Sequence, residues 1–343
     1  MKPALRILEP GLAASLQDCG RPGYQRFGVP VSGALDSVSL TIANILAGNP
    51  PGTAAIELLG AGLAFAVEAD SVTLALAGMA PGLILESEQA PIRVPALQSV
   101  NARRGDTVRI LAPKGGSVSY LSVEGGFDIP PALGSRSTYR RAGLGGYEGG
   151  PLHAGARLPL CLVSSTRAPV RLKIEVRPPD VLRVMRGPNT AYFTPPAFEA
   201  LTGSVYTVTA ASDRMGLRLQ GPALERAMEG EMTTQATTAG ALQVPADGQP
   251  ILLLADRQTA GGYPRIATVI GADIAAAGRL AAGMSLRFEE VNREEALRLL
   301  SEQRAWLAAL PAALEPAGAA ALTPEYLLSR NLIGGVTAGG AGD

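Results

Sequence analysis

The chain has 343 residues, 30 Lys and Arg against 30 Asp and Glu, a formal net charge of zero, one histidine and two cysteines. That length supports two or three domains, and the charge balance gives no attraction for phosphate backbones or anionic lipid, which argues against a nucleic-acid reader or a polybasic membrane protein. Cys19 and Cys161 cannot make a disulfide framework, and with His153 alone they cannot close a Cys/His zinc site; a carboxylate metal site stays open.

A hydrophobic share of 47% with 17% charged residues fits a compact protein and not a disordered one. The 41 glycines and 27 prolines make it turn-rich. Near the start, Glu9, Pro10 and Gly11 interrupt any secretory apolar segment. The least polar stretch, 72–85, contains Gly78, Pro81 and Gly82 and is too short to span a bilayer. A cytoplasmic location is the expectation.

In chain order, alternation of apolar and polar residues predicts strands over 71–76, 107–111, 118–123, 204–209 and 284–288. The clearest alternation is 170–177, where Val170, Leu172, Ile174 and Val176 interleave with Arg171, Lys173, Glu175 and Arg177. Ala246-Asp247-Gly248 between 242–244 and 251–254 predicts a hairpin. Helices are few. Asp36 reads as the N-cap of a helix over 37–47 that Gly48 ends. Thr194-Pro195 starts a second that Gly203 ends, and a third runs from Asp273 towards Leu280. In a longer helix containing Trp306, Leu297, Leu300, Leu307 and Leu310 share one face. Residues 311–321 read as a tether, and 326–333 carry apolar residues suited to docking on the body before a Gly-rich end.

Many short strands between Gly/Pro turns predict a mainly β protein with short helices. Pro178-Pro179 stops the strongest strand and marks the best boundary. It gives β-rich halves at 1–178 and 181–290, with a helix and tail over 291–343.

There is no P-loop and no Gly-x-Ser-x-Gly elbow, and no partner near either cysteine in the sequence would activate its thiol. His153 reads as a surface or structural residue. What stands out is four loops that combine glycine with charge. Residues 16–36 carry Asp18 and Arg21 among glycines. Residues 124–128 and 134–146 carry Arg136, Arg140 and Arg141 with Ser135, Ser137 and Thr138. Residues 212–216 carry Asp213 and Arg214, and 255–265 carry Asp256, Arg257, Gln258, Gly261, Gly262 and Tyr263. Arginine forks bind carboxylate or phosphate, and glycines let backbone amides approach a ligand. The arginine-rich loop is equally a solvated basic turn, Asp36 reads first as a helix cap, and an adjacent Asp-Arg pair often only bonds its neighbouring backbone; four such loops in one neutral chain point to a shared polar site.

Taken together, these loops resemble the KipA-like family, also called allophanate hydrolase subunit 2. It is similar to the C component of bacterial ATP-dependent 5-oxoprolinase and to the carboxyltransferase region of urea carboxylase. The segments that carry the resemblance are QDCGRPGYQRFGVPVSGALDSVSLTIANILAGN, the EGG of 124–126, LGSRSTYRRAGLGG, SDRMGLRLQGP and GQPILLLADRQTAGGYPRIATVI. Departures are small: Cys19 stands where a larger apolar residue is common, and 235–240 lacks a Val-Pro-Gly before a strand.

The resemblance implies two tandem cyclophilin-like β-barrel domains. It further implies a subunit that opens 5-oxo-L-proline to L-glutamate with a KipI-like partner, of the type of the 5-oxoprolinase B component, using ATP and Mg²⁺ in the complex. Two alternatives travel with it. One is carboxyl transfer to a small amide, with biotin carried on other chains; the other is a non-enzymatic regulator that binds a KipI-like kinase inhibitor. It places no catalytic residue here, so the site follows from side-chain chemistry. Asp256, Asp213 and Asp18 are the carboxylates suited to relaying a proton or holding Mg²⁺. Arg21, Arg136 and Arg257 are the cations for substrate carboxylate or phosphate, with Ser137, Gln258 and Tyr263 as further substrate-binding groups.

Overall fold

Asp36 starts helix α1 (Ser37–Ala47) by accepting from the backbone N–H groups of Val38 and Ser39 at 3.1 and 3.0 Å, and Gly48 closes it at φ 80°. Almost every residue of α1 is buried, because it lies between two β bodies. The computed structural model that shows this describes residues 2–317, apart from 61, 89, 114, 163 and 229–231.

The first body is two facing sheets. One has six strands in the order Arg157–Pro159, Ala4–Glu9, Ala64–Val67, Thr107–Ile110, Gly82–Glu86, Ile92–Pro95. The other has seven, in the order Ala13–Gln17, Ala55–Leu59, Val118–Val123, Ser71–Gly78, Gln98–Arg103, Val170–Arg171, Glu315–Pro316. The side-chain period of two sorts the second sheet. Val72, Leu74 and Leu76 join Leu5, Phe65 and Val108 in the core between the sheets, whereas Ala75, Ala77, Val118 and Tyr120 face α1.

The second body is a closed seven-stranded barrel: Val181–Arg186, Arg265–Val269, Ala241–Gln243, Ile251–Leu253, Gly216–Gln220, Val205–Val208 and Ser285–Glu290. The ring closes through a parallel pair that sets Leu182 opposite Phe288. Helix α2 (Pro195–Gly203) covers one side. Helix α3 (Gly271–Ala277) contacts α1, and helix α4 (Arg293–Ala309) packs on α3. The barrel interior, α1 and the outer face of the seven-stranded sheet share one continuous apolar cluster. The mainly β architecture read from the sequence is therefore the observed one.

Four expectations change. The alternation at 170–177 forms a ladder only at Val170–Arg171. Leu172 is nonetheless buried, and Ile174 and Val176 pack on the same core, so the pattern reports a face laid on apolar neighbours without strand partners. Helix α3 begins at Gly271, because Asp273 takes a bidentate bond from Arg183 at 2.9 and 2.5 Å instead of capping. Leu307 in α4 and Leu310 just after its end reach the core and Leu300 lies over Gly271, but Leu297 is 56% exposed, one turn too early to meet the barrel. The stretch read as a tether supplies the strand Glu315–Pro316, paired with Val170–Arg171; residues 318–343, with the expected docking segment, lie outside the described residues. Among the described residues no helix is long and apolar enough to cross a membrane.

Candidate functional site

A cleft of about 600 Å³ separates the two bodies. Its first-body wall is Leu12, Ala13, Ser15, Gln17 and Leu59, with Thr138, Arg140 and Arg141 from the 134–146 loop; the barrel contributes 212–215 and Asp256. The wall is apolar on one side and cationic on the other. Among the described residues the Arg140 side chain has no carboxylate within ion-pair distance, while Arg141 reaches across to Asp213 at 3.8 Å.

The cleft floor is an ion-pair chain that crosses between the bodies. Arg214 donates from Nε and Nη2 to the two oxygens of Asp256, at 2.8 and 3.2 Å. Its Nη1 pairs with Oε1 of Glu57, and its Nη2 also reaches the Gly33 carbonyl at 2.6 Å. Behind it, Oε2 of Glu57 accepts from the Tyr120 hydroxyl at 2.6 Å and the Leu35 N–H at 2.9 Å. Glu57 and Tyr120 are fully enclosed. Burial first, then the charges of Glu57 and Asp36, push the Tyr120 phenol far above its ordinary pKa, so it stays a neutral donor. Burial alone would lower the Arg214 pKa, but the Glu57 and Asp256 carboxylates hold it above the ordinary range. Asp256 is thus a charged carboxylate at a cleft wall, fixed in orientation by a two-point fork. It can accept a hydrogen bond or a proton from a ligand N–H or a water.

A second crossing lies alongside. Asp36 accepts from Arg279 at 2.6 and 3.3 Å, and Arg279 also holds the Arg177 carbonyl at 3.1 Å. Ser32 donates its N–H to the Ala255 carbonyl at 3.2 Å while held at φ 56°. Next to it, Gly33 sits at φ +88°, where an added Cβ would come within 3.0 Å of the Asp18 carbonyl. The 16–36 loop therefore needs a glycine there to present its carbonyl to Arg214.

The sequence-derived candidates divide into three groups, with Arg257 standing apart. Asp256 and Asp213 line the cleft. Asp213 is exposed and also caps its own turn, accepting from the N–H groups of Met215 and Gly216 at 2.8 and 3.3 Å. Gln258 and Tyr263 line an adjoining pocket on the barrel wall. Asp18, Arg21, Arg136 and Ser137 form a junction behind the cleft. Asp18 accepts from the Gly20 N–H (2.8 Å), the Ser135 hydroxyl (2.6 Å), the Ser137 hydroxyl (2.5 Å) and the Arg136 N–H (2.6 Å). Arg21 is buried against the carbonyls of Ala132 and Ser137, and its pKa falls through burial. The Arg136 guanidinium donates to the Ile129 carbonyl at 2.5 Å. Arg257 is buried too, bonded to the Leu254 carbonyl at 3.3 Å, with its pKa lowered by burial. None of these five side chains is among those that line the cleft. His153 is exposed beside Glu148, and both cysteines are exposed.

The model of the carboxyltransferase domain, subdomain A and B, matches residues 27–290. The chain belongs to this carboxyltransferase domain family. Within it, the chain is 36% identical over 302 residues to the C component of the 5-oxoprolinase of Haemophilus influenzae, covering 88% of this chain and 96% of that protein. It is 34% identical over 301 residues to the C component of the Escherichia coli 5-oxoprolinase, covering 88% and 95%. Among solved structures, the urea amidolyase of K. lactis superposes with a TM-score of 0.80 at 28% identity, over 90% of this chain and 20% of that one.

For this family member, sequence reading named Arg214, Arg140 and Arg141 in their loops without placing them among the site residues, and missed Glu57 and Tyr120 altogether. Glu57 sits in Ala55–Leu59, an otherwise apolar strand, and a single carboxylate in such a strand is the signal that was available. Tyr120 carried no signal, since its hydroxyl partner is 63 residues away.

Proposed function

We propose that this chain is a subunit of an ATP-dependent 5-oxoprolinase, opening 5-oxo-L-proline to L-glutamate together with a KipI-like partner. The observation that carries the reading is the inter-body cleft, in which the Arg214-held carboxylate of Asp256 faces the cationic rim of Arg140 and Arg141. Its support is the near full-length similarity to the C components of two bacterial 5-oxoprolinases. A lactam is a planar amide with a ring N–H, and its carboxylate demands a cation. The cleft offers an acceptor for the first, and the arginines along its rim and in the pocket that opens off it offer cations for the second. Opening the ring breaks the carbonyl–nitrogen bond, adds water across it, and leaves an amine that must take up a proton; Asp256 is placed to move that proton.

Among the described residues the carboxylates do not assemble a Mg²⁺–nucleotide site. Asp256 is charge-paired with Arg214, which leaves it able to accept a further hydrogen bond but disfavours a second cation beside it; Asp18 already accepts from four donors, and among the described residues no three His, Cys, Asp or Glu side chains cluster. In this reading the nucleotide belongs to another part of the complex.

The likeness to K. lactis urea amidolyase favours carboxyl transfer as the second reading. The apolar wall of Leu12, Ala13 and Leu59 beside Arg140 and Arg141 also fits a ureido ring bearing a carboxylate. Carboxybiotin supplies an activated carboxyl group when bound.

Co-purification with the encoded KipI-like partner, followed by ATP turnover with and without 5-oxo-L-proline, decides between them. Turnover stimulated by 5-oxo-L-proline and seen only in the complex is expected. Full turnover by the single chain would refute the need for a partner, and biotin-dependent carboxylation of an amide without lactam hydrolysis would replace the first reading by the second.

A further inference from the structure

A second pocket, of about 220 Å³, opens off the cleft along the outer wall of the barrel; Arg141, Asp213 and Met215 line both. Register builds its floor. Ile251 pairs with Arg218 on one side and with Gln243 on the other, so the three side chains stand in one row on one face of the sheet. That face is opposite the one through which Leu242 and Leu252 enter the barrel core. Strand spacing of about 4.8 Å sets Arg218 and Gln243 roughly 10 Å apart at the backbone.

Gln243 is the informative member of the row. It is 1% exposed, and its Oε1 accepts from Nε2 of Gln258 at 2.8 Å, which fixes the orientation of its amide. Its own Nε2 has no hydrogen-bond partner among the described residues, although a buried donor is costly to leave unpaired. The surroundings are pre-set around it. A Cβ at position 261 would come within 2.8 Å of that nitrogen, so Gly261 is what lets the amide fit. Gly261 is itself held by pairing with Gln235, and the Gln258 carbonyl is tied to the Thr237 hydroxyl. At the mouth, Tyr263 is half exposed, and the exposed Arg218 side chain has no carboxylate partner among the described residues.

We infer that this pocket is a substrate subsite for a small ring amide bearing a carboxylate, with Gln243 Nε2 donating to the amide carbonyl and Arg218 pairing with the carboxylate. The inference rests on the 5-oxoprolinase reading and adds to it the orientation of the substrate. A buried neutral donor and a solvated cation at opposite ends of one pocket match the two ends of 5-oxo-L-proline, and pairing the orphaned Nε2 removes a standing cost of the folded chain.

The test is calorimetric titration of the full chain, alone and in the partner complex, with three probes: 5-oxo-L-proline, 2-pyrrolidinone (amide without carboxylate) and cyclopentanecarboxylate (carboxylate without amide). Gln243→Leu should weaken 5-oxo-L-proline and 2-pyrrolidinone at least tenfold and leave cyclopentanecarboxylate unchanged. Arg218→Gln, on an exposed side chain that folding does not need, should weaken the two carboxylates tenfold and spare 2-pyrrolidinone. Gln243→Glu, which keeps the shape if the leucine variant misfolds, should repeat the first pattern. Binding of 5-oxo-L-proline unchanged in both Gln243→Glu and Arg218→Gln, or no binding of any probe, overturns the subsite. If the complex never turns over 5-oxo-L-proline yet Gln243 still governs 2-pyrrolidinone binding, the amide subsite stands and the oxoprolinase reading falls. If turnover survives both substitutions, the reading stands and the subsite falls.

Discussion

Arg214 holds both carboxylate oxygens of Asp256, at 2.8 and 3.2 Å, while its remaining nitrogen pairs with Glu57 from the other body of the protein. One guanidinium therefore orients the candidate acid–base residue and also fastens the wall of the cleft to the floor. The two roles lead to different expectations for substitution.

Arg214→Met removes the cation between two buried carboxylates, neither of which pairs with another guanidinium among the described residues. Breaking a buried pair from one side costs about 3–5 kcal/mol, and that loss is expected here. Urea denaturation of the purified chain checks it; a change below about 1 kcal/mol would mean that the inter-body pair contributes little to stability.

Asp256→Asn keeps the shape and one acceptor for Arg214 while removing the charge. Activity of the partner complex is expected to drop by two or more orders of magnitude, on the order of 3 kcal/mol of transition-state stabilisation. Steady-state turnover on a complex verified as folded gives the answer, and near-normal turnover would leave Asp256 with a structural role only.

Asp18→Asn swaps an acceptor oxygen for a donor where four donors converge, from Gly20, Ser135, Arg136 and Ser137. At least one buried N–H or O–H loses its partner, and a loss of about 2–3 kcal/mol is expected. Thermal unfolding should report it as a lowered midpoint; an unshifted midpoint would show that the junction re-forms without the carboxylate.

Stability should fall in alkali. Tyr206 is fully buried, its hydroxyl donates to the Pro222 carbonyl at 3.1 Å, and burial raises its pKa to about 12 from 10.0. Above pH 10 the unfolded chain releases this proton while the folded chain retains it, so stability present below pH 10 is lost progressively towards pH 12. A shift of about two units corresponds to roughly 2–3 kcal/mol. Tyr120 adds to the same slope, since its pKa is also raised. Tyr206→Phe should flatten the dependence in denaturation measured from pH 8 to 11.5, and an equal slope in the variant would refute the assignment.

Much of this protein was written locally. The span Val118–Val123, helix α1 with its Asp36 and Gly48 ends, and the hairpin pairing Ala241–Gln243 with Ile251–Leu253 follow from side-chain period, cap chemistry and turn residues, all of which act within a few positions. The same local chemistry marked Asp256, Asp213 and Gln258 as polar residues leaving apolar strands. What the sequence left open was which charges meet. Arg214 and Glu57 are 157 residues apart, Arg279 and Asp36 are 243 apart, and Asp18 and Ser137 are 119 apart. Nothing in a loop's composition says whether its arginine faces a ligand or a neighbouring carbonyl, because that depends on what the other body brings to it. Packing of the barrel on α1 and the seven-stranded sheet made that choice. It turned Arg21 and Asp18 inward, set Glu57 and Tyr120 behind Arg214, and left Asp256 with its charge at the cleft wall.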